Sequence, residues 1–576
     1  MTTGLLGVVE SAISVLNKER NVHFKALPQT EGAFQSDVAL ETETITLIVD
    51  CRNGFPDTFP VLSIKNPLRF YPHVDEFGKI CVFEESAIII RTDLPDQIML
   101  DAFDRAVKIL EIKPGSPEYK HEVAREFNAY WIQRSTRIVY TNLDRYEKST
   151  YKELKCVSCE NSIVLSETVL DSEYLLQNYF GRQLDNKAEI QCTILRLRNF
   201  DVPPIQKQYS WKQLRCFIMK NITGSQKRRF QKFLNQKMKV LNRFIILSIP
   251  SEDQDFLVGF WIHYQGRQYY KVEKNANCHV EPIMTIPIDY EYMLKRGGGG
   301  DHGLKDKSVL LIGCGSIGGY IAANLCQVGV GSLDILDDDY MSVDNVHRHI
   351  LGFSDALKHK NKADLVKEYL ENQYPHVDID SLNYKDRSAE TFLDNPSRLS
   401  NYDLIISATG EPQLNLSINK ILYGMDIPTP FIVCFNEPYG IGGHAMAINI
   451  EGGCLECLYT DIISDDRTSF RGSFVAPEQD FNKSISGCAG SFVVYSALDS
   501  QQTAILAMRL VIEVLSGECK KNQILSWYSS SLSLMSQGYA VSDYYKRISS
   551  DQVGIIRKSI PRNERCRICK SQTALS

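Results

Sequence analysis

At 576 residues the chain is longer than one compact core accommodates, and units of about 100 to 200 residues divide it into three or four. Apolar residues make up 43% and charged residues 23%, with a formal net charge of -6, a composition that excludes disordered, fibrous and membrane-embedded classes. There is no basic surplus to drive nonspecific phosphate binding, so nucleic acid is not an expected partner.

The opening stretch MTTGLLGVVESAISVLNKER reads as an amphipathic helix. It has no basic leader and meets Glu10 early, which argues against a secretory signal, and no run of eighteen uncharged apolar residues follows anywhere. A cytoplasmic protein without membrane attachment is expected. ITLIVDC reads as a strand, and QIMLDAFDRAVKIL and HEVAREFNAYW carry helical periodicity, so residues 1–148 form a mixed α+β domain with helices flanking a small sheet. Residues 149–295 are less regular, with strand-like FIILSI and FLVGFWIHY and a basic segment, KRRFQKF, that reads as a solvated helix face; this is a connecting domain without visible chemistry. The four glycines Gly297 to Gly300 break the chain at the start of a third domain, residues 296–576. There VLLIG, a helix to about Gln327, SLDILD, a helix around Ala363 to Leu370, DLIISAT and PFIVCF alternate, the pattern of an α/β, Rossmann-like parallel sheet with helices on both faces.

Between the first strand and helix of that domain lies Gly313-Cys314-Gly315-Ser316-Ile317-Gly318. Gly313, Gly315 and Gly318 let the backbone approach a phosphate, and the helix start supplies free N–H groups and a positive dipole end. A dinucleotide dehydrogenase would show the same loop, so alone it decides nothing. After the second strand comes Asp337-Asp338-Asp339-Tyr340-Met341-Ser342-Val343-Asp344-Asn345-Val346-His347-Arg348-His349. A dehydrogenase gives no reason for an Asn and an Arg there, whereas nucleotidyl transfer needs cations against triphosphate charge. The combination resembles the adenylating domain of ubiquitin-activating enzymes and their bacterial relatives ThiF and MoeB, over roughly residues 300 to 570. The resemblance implies ATP and Mg2+, with Asp337 and Asp339 toward the ribose and metal, and Asn345, Arg348 and Lys362 toward the phosphates. It also implies that Arg296 reaches the ATP of a homodimer partner. One departure stands out: where the family has an Asp for magnesium after DLIISAT, this chain reads Thr409-Gly410-Glu411. Either Glu411 substitutes or Asp337, Asp339 and the phosphates suffice.

Sixteen cysteines, six of them in C-x-x-C pairs, suit a reducing compartment that leaves thiols free for metal or catalysis. Cys454-x-x-Cys457 and Cys566-x-x-Cys569 have the spacing of a closed tetrahedral Zn2+ that ties the C-terminal tail to the body; the activating-enzyme relatives carry the same pair. Cys156-x-x-Cys159 is a third pair, and Cys278 and His279 would complete a second zinc only if the fold brought them near it. Cys488, in NKSISGCAGSF, precedes the long apolar-periodic segment FVVYSALDSQQTAILAMRLVIEVLSG; at a helix N-terminus its thiolate would be stabilised, the mark of a nucleophile. Cys81 lies in FPDTFPVLSIKNPLRFYPHVDEFGKICVFEES, which resembles the conjugating-enzyme signature at Gly78, Ile80 and Cys81 but has Tyr71-Pro72-His73-Val74 where His-Pro-Asn is usual, so the oxyanion-binding Asn is missing.

The three-domain order, EFNAYW near the end of the first domain and NVHRHILG after the acidic strand end resemble the bacterial fused activating and conjugating enzymes of CBASS anti-phage operons. That resemblance implies adenylation of the C-terminal tail of a cGAS-like nucleotidyltransferase (CD-NTase), a thioester on Cys488, transfer to Cys81 and attack by an acceptor lysine, in antiviral defence. Two rivals remain: a sulfur-carrier-protein adenylyltransferase, in which Cys81 is idle, and a nucleotide-binding scaffold without turnover.

Overall fold

The computed structural model describes residues 3–28, 30–67, 71–75, 77–83, 90–135, 137–143, 151–159, 162–166, 174–175, 190–203, 209–235, 242–250, 255–264, 278–297, 303–382, 395–459, 470–484, 491–549 and 553–569. The chain divides into two compact units, Met1–Ile288 and Asp289–Ser576.

In the first unit, an antiparallel sheet runs in chain order through β1 (Lys25–Ala26), β2 (Ala33–Ala39), β3 (Thr44–Asp50), β4 (Val61–Ile64) and β5 (Lys79–Ile80). Alternation in β3 turns Ile45, Leu47 and Val49 inward. Helices α1 (Thr3–Arg20) and α2 (Pro95–Leu110) share that core. Helix α2 buries Ile98, Ala102, Ala106 and Leu110 at four-residue spacing, with Met99 and Phe103 beside them. Each large apolar side chain so buried contributes about 1.5–3 kcal/mol.

A second sheet runs in the order β10 (Tyr209–Ser210), β13 (Cys278–Pro287), β12 (Phe256–Tyr264), β11 (Asn242–Ile249), β9 (Ile190–Arg196), β7 (Tyr151–Cys159), β8 (Ser162–Ser166) and β6 (Ile138–Thr141), and closes on itself because β6 also pairs with β13. Helices α4 (Trp211–Asn221) and α5 (Gly224–Asn235) pack on it. KRRFQKF is the middle of α5: its basic residues face outward, as the sequence suggests, while Phe230 and Phe233 are buried.

Helix α3 (Pro117–Arg134) lies between the two sheets. Ser116 caps it, its hydroxyl accepting the Tyr119 N–H at 3.0 Å, and Pro117 occupies the first turn, where a missing N–H costs nothing. Val123, Phe127 and Trp131 at four-residue spacing enter the core of the second sheet, where the Trp131 indole donates to the Ile283 carbonyl at 2.8 Å. Glu122, Glu126 and Tyr130 lie a residue earlier along the helix; the two glutamates bond His73 in the segment that carries Cys81, and the Tyr130 hydroxyl donates to Glu126.

The second unit is the Rossmann-like domain. Its sheet is ordered β16 (Asp378–Ser381), β15 (Ser332–Leu336), β14 (Ser308–Ile312), β17 (Leu404–Ser407), β18 (Phe431–Asn436), β19 (Gly442–Ile448), β22 (Gln523–Tyr528) and β23 (Gly554–Ser559), parallel from β16 to β18 and antiparallel beyond. The parallel strands read as continuous apolar runs because both faces are covered. Val309, Leu311 and Ile432 face α6 (Gly318–Gln327) and α9 (Ala497–Leu515), while Leu310, Ile312 and Phe431 face α8 (Pro412–Gly424).

One expectation is corrected here. The segment after Cys488 does not begin the long helix: residues Ser491–Val493 form β21, paired with β20 (Asn482–Ser484), and α9 starts at Ala497. Ser496 is the reason. Its hydroxyl and the Asp499 carboxylate cap each other's backbone N–H groups, a reciprocal box that sets the helix start at Ala497, nine residues after position 488. Cys488 itself lies outside the described residues.

Candidate functional site

Strand β14 delivers the chain into the glycine turn, where Gly313 has φ +84° and its N–H donates to the Leu336 carbonyl at 2.7 Å. A Cβ on Gly313 would sit 3.0 Å from the Ala408 carbonyl carbon, and one on Gly318 only 1.9 Å from the Gly313 oxygen. A Cβ on Gly315 would meet nothing within 4 Å. Two glycines are thus demanded by the turn itself, and the third borders open space that a phosphate can enter. Helix α6 begins at this turn with no side-chain cap, and of its first two N–H groups that of Gly319 bonds the Gly315 carbonyl at 2.9 Å, so the positive end of the helix faces the turn.

The end of β15 closes the other side. The Asp337 carboxylate accepts the Cys314 N–H at 2.8 Å and the Asp339 N–H at 2.9 Å, and its burial raises its pKa above the usual carboxylate value. Asn361 donates to the Asp337 carbonyl at 2.8 Å and caps α7 (Lys362–Glu371), placing Lys362 at the first helical position. The Lys362 Nζ meets Asp339 at 2.6 Å, a nearly buried ammonium reaching a carboxylate that is 70% exposed. Arg348 and Asn345 share one short helical turn; the Arg348 guanidinium lies 5.7 Å from the Tyr495 ring, and the Tyr495 hydroxyl is 3.0 Å from that of Ser316 in the glycine turn. Asn345 accepts the Ser342 N–H at 3.3 Å. Gly313, Gly315, Gly318, Asp337, Asp339, Arg348 and Lys362 thus converge on one place, with Asn345 on the turn beside them. Glu411 stands exposed at the start of α8 after the left-handed Gly410, so its carboxylate is free to face solvent.

Sequence reasoning missed Asn361, Tyr495 and His349. The His349 ring donates from Nε2 to the Cys314 carbonyl at 2.7 Å and accepts the Leu351 N–H on Nδ1 at 3.1 Å, so it is bonded as the neutral tautomer. Burial pushes its pKa down to about 4. An unfolded His binds a proton near 6.5 and the folded one does not, so stability present above that pH falls away as the pH drops toward 4, by about 3 kcal/mol. Thermal unfolding of the full chain should show this acid loss, and His349→Gln should flatten it; an unchanged slope between pH 6.5 and 4 would reject the assignment.

Cys454, Cys457, Cys566 and Cys569 form a buried group with all sulfurs within 4.8 Å of one another. Cys454 and Cys566 are 3.6 Å apart and Cys457 and Cys569 3.5 Å, near the ~3.8 Å edge of a tetrahedron with metal–sulfur bonds of about 2.3 Å. Backbone N–H groups of Cys454 and Asn563 point at the Cys569 and Cys457 sulfurs. The donor set therefore fits a metal. Among the described residues no other group of three or more potential ligands comes together. Cys156 is buried in the second sheet, and His279 bonds Glu281 at 2.8 Å, so neither supports a second zinc; the Cys159 side chain lies outside the described residues.

Cys81 is exposed, whereas most described cysteines are buried. It opens into a cavity of about 750 Å³ walled by α2 and α3, with Phe83, Arg105, Glu122 and Glu126 on its lining. His73 holds the thiol's strand. The His73 carbonyl accepts the Cys81 N–H at 2.7 Å, its ring nitrogens meet Glu126 at 2.5 Å and Glu122 at 2.8 Å, and its own N–H donates to Glu126 at 2.9 Å. The Glu126 and Glu122 carboxylates raise the His73 pKa. Both ring nitrogens are engaged, so His73 does not supply the donor that an Asn supplies in conjugating enzymes. Cys488 and the Arg296 side chain lie outside the described residues.

A parallel sheet ending in this glycine turn, with acidic, Arg and Lys groups converging on it, defines an adenylating enzyme of the ubiquitin-activating type. Residues 293–528 match the ThiF family. The chain is 28% identical over 252 residues to an ATP-dependent ubiquitin transferase-like protein Cap2 of Pseudomonas aeruginosa, covering 42% of this chain and 43% of the relative. It is 22% identical over 503 residues to a Cap2 of Escherichia coli, covering 78% of this chain and 81% of the relative. A sulfur carrier protein ThiS adenylyltransferase of Escherichia coli is 27% identical over 180 residues, 31% of this chain and 68% of the relative. The chain is thus similar to Cap2 proteins over much of its length and to the ThiF family over residues 293–528, while it spans less than half of the Pseudomonas aeruginosa relative. No helix among the described residues is long and apolar enough to cross a membrane.

Proposed function

We propose that the chain adenylates the C-terminus of a protein with ATP and Mg2+, holds it as a thioester on Cys488, passes it to Cys81 and conjugates it to an acceptor amine. The substrate we infer is the tail of a CD-NTase, the acceptor a protein lysine, the setting CBASS antiviral defence in the cytoplasm, and the working form a homodimer. In this scheme the tail carboxylate attacks the α-phosphate and pyrophosphate leaves; the Cys488 thiolate attacks the acyl carbon and AMP leaves; Cys81 displaces Cys488; the amine displaces Cys81. The four cysteines would hold Zn2+ as a structural clamp, and Mg2+ would be held either by Glu411 or by Asp337, Asp339 and the phosphates. We read residues 1–148 as the conjugating domain and 149–295 as the connecting domain.

The observation that carries this reading is the exposed Cys81 thiol in its own charged cavity, in a chain that also holds a ThiF nucleotide turn. A sulfur-carrier adenylyltransferase has no use for it. The test is exchange of labelled pyrophosphate into ATP in the presence of a peptide matching the tail of the CD-NTase encoded beside this gene. Exchange that depends on the peptide and survives Cys81→Ala, while conjugation is lost, supports the relay; conjugation that survives Cys81→Ala would reject it.

A further inference from the structure

Aminolysis of a thioester needs the attacking nitrogen deprotonated, and a lysine with a pKa of about 10 arrives as an ammonium. We propose that Glu122 is the proton acceptor for the amine attacking the Cys81 thioester and that His73 is the positioning residue that sets Glu122 against the thiol. The inference rests on Cys81 carrying the acyl group.

Three glutamates of α3, Glu118, Glu122 and Glu126, repeat at four-residue spacing and line the cavity that Cys81 opens into. They are not equivalent. Glu126 accepts the His73 ring at 2.5 Å, the His73 N–H at 2.9 Å and the Tyr130 hydroxyl at 2.9 Å, so three donors occupy it, and His73 and Tyr130 hold its pKa low against its burial. Glu118 is exposed at the start of the helix. Glu122 is held by the His73 ring at 2.8 Å with Arg125 at 3.7 Å, and its side chain keeps 18% exposure. Glu126 is no less exposed, at 24%, but three donors take its oxygens, so Glu122 is the carboxylate that is fixed in place by fewer bonds and lines the cavity.

The link to the thiol runs through one residue. His73 has φ +60°, a left-handed backbone that few non-glycine residues adopt and that concentrates at functional sites. That turn sends its carbonyl to the Cys81 N–H and its ring to Glu122. In the step proposed, the ammonium gives one proton to the Glu122 carboxylate and its nitrogen attacks the thioester carbon. The C–N bond forms, the C–S bond breaks, the sulfur leaves with its electron pair and takes the second proton from the nitrogen. The products are an amide, the Cys81 thiol and a protonated Glu122, with charge and hydrogens balanced.

The test uses the full chain with Cys81 charged by exchange from a short peptide thioester, which bypasses ATP. Discharge by free lysine is followed by mass spectrometry from pH 7 to 9.5. Glu122→Gln should charge normally and discharge at least tenfold slower at pH 7, with the deficit closing toward pH 9.5 as free amine becomes abundant; Glu122→Asp should recover part of the rate. Arg105 and Lys108 across the cavity, Arg125 beside Glu122 and Glu126, whose pKa His73 and Tyr130 hold low, are the other charged groups that face it. His73→Asn, which tolerates the left-handed backbone, separates any titration of His73 itself and should slow discharge without slowing charging. Glu118→Gln should match the parent. Equal discharge by Glu122→Gln and parent, or a deficit independent of pH, overturns the proposal. Normal discharge here with no ATP-driven charging would instead sink the relay and leave this inference standing.

Discussion

Gly318→Ala is expected to abolish peptide-dependent pyrophosphate exchange, a fall of at least ~100-fold, and to lower the thermal midpoint of the chain. The added Cβ would lie 1.9 Å from the Gly313 oxygen, so the turn must open by more than 1 Å at the place where backbone and phosphate meet. Gly315→Ala is its counterpart. That position has nothing within 4 Å, so the variant should fold like the parent yet bind ATP poorly, because the methyl enters the space left for a phosphate. Isothermal titration with ATP alongside thermal unfolding checks both. A Gly318→Ala protein that exchanges pyrophosphate normally would show that the turn is not the nucleotide site.

The second large effect concerns the four buried cysteines. The purified chain should carry about one zinc, and Cys566→Ser should lose it together with several degrees of thermal stability. The tail starts from Ile560, which is buried, with its N–H bonded to the Asn522 carbonyl and its carbonyl accepting the Gly453 N–H. Beyond it Arg562 donates from Nε to the Gly452 carbonyl at 3.2 Å, and Cys566 and Cys569 join Cys454 and Cys457. Elemental analysis with thermal unfolding, before and after chelation, decides the matter. A chain free of zinc and just as stable would leave four ordinary buried thiols.

How much of this was legible in advance follows from the range of the interactions involved. The parallel strands of the second unit announced themselves because both faces are covered, which forces unbroken apolar runs such as SVLLI and FIVCF. Gly313 and Asp337 could be located because each follows the end of a strand, whereas Lys362 was singled out only through the resemblance to activating enzymes. The start of α9 was misplaced because FVVY continues the apolar pattern, and only the Ser496–Asp499 box says where a helix begins. Tyr495 and His349 were invisible for a different reason: they act on Ser316 and Cys314 from 179 and 35 residues away. The role of α3 was half legible. Its periodicity showed a helix, but not that Val123, Phe127 and Trp131 serve the second sheet while Glu122 and Glu126 hold His73 beside Cys81.

The most direct measurement is intact-mass analysis of the chain after incubation with ATP, Mg2+ and the tail peptide, with and without thiol reductant. The account predicts a reductant-sensitive mass of the peptide less one water on Cys81, absent in Cys488→Ala and replaced by a stalled adduct on Cys488 in Cys81→Ala. An adduct on Cys81 that forms in the Cys488→Ala protein, or no thioester on either sulfur despite active pyrophosphate exchange, would contradict it.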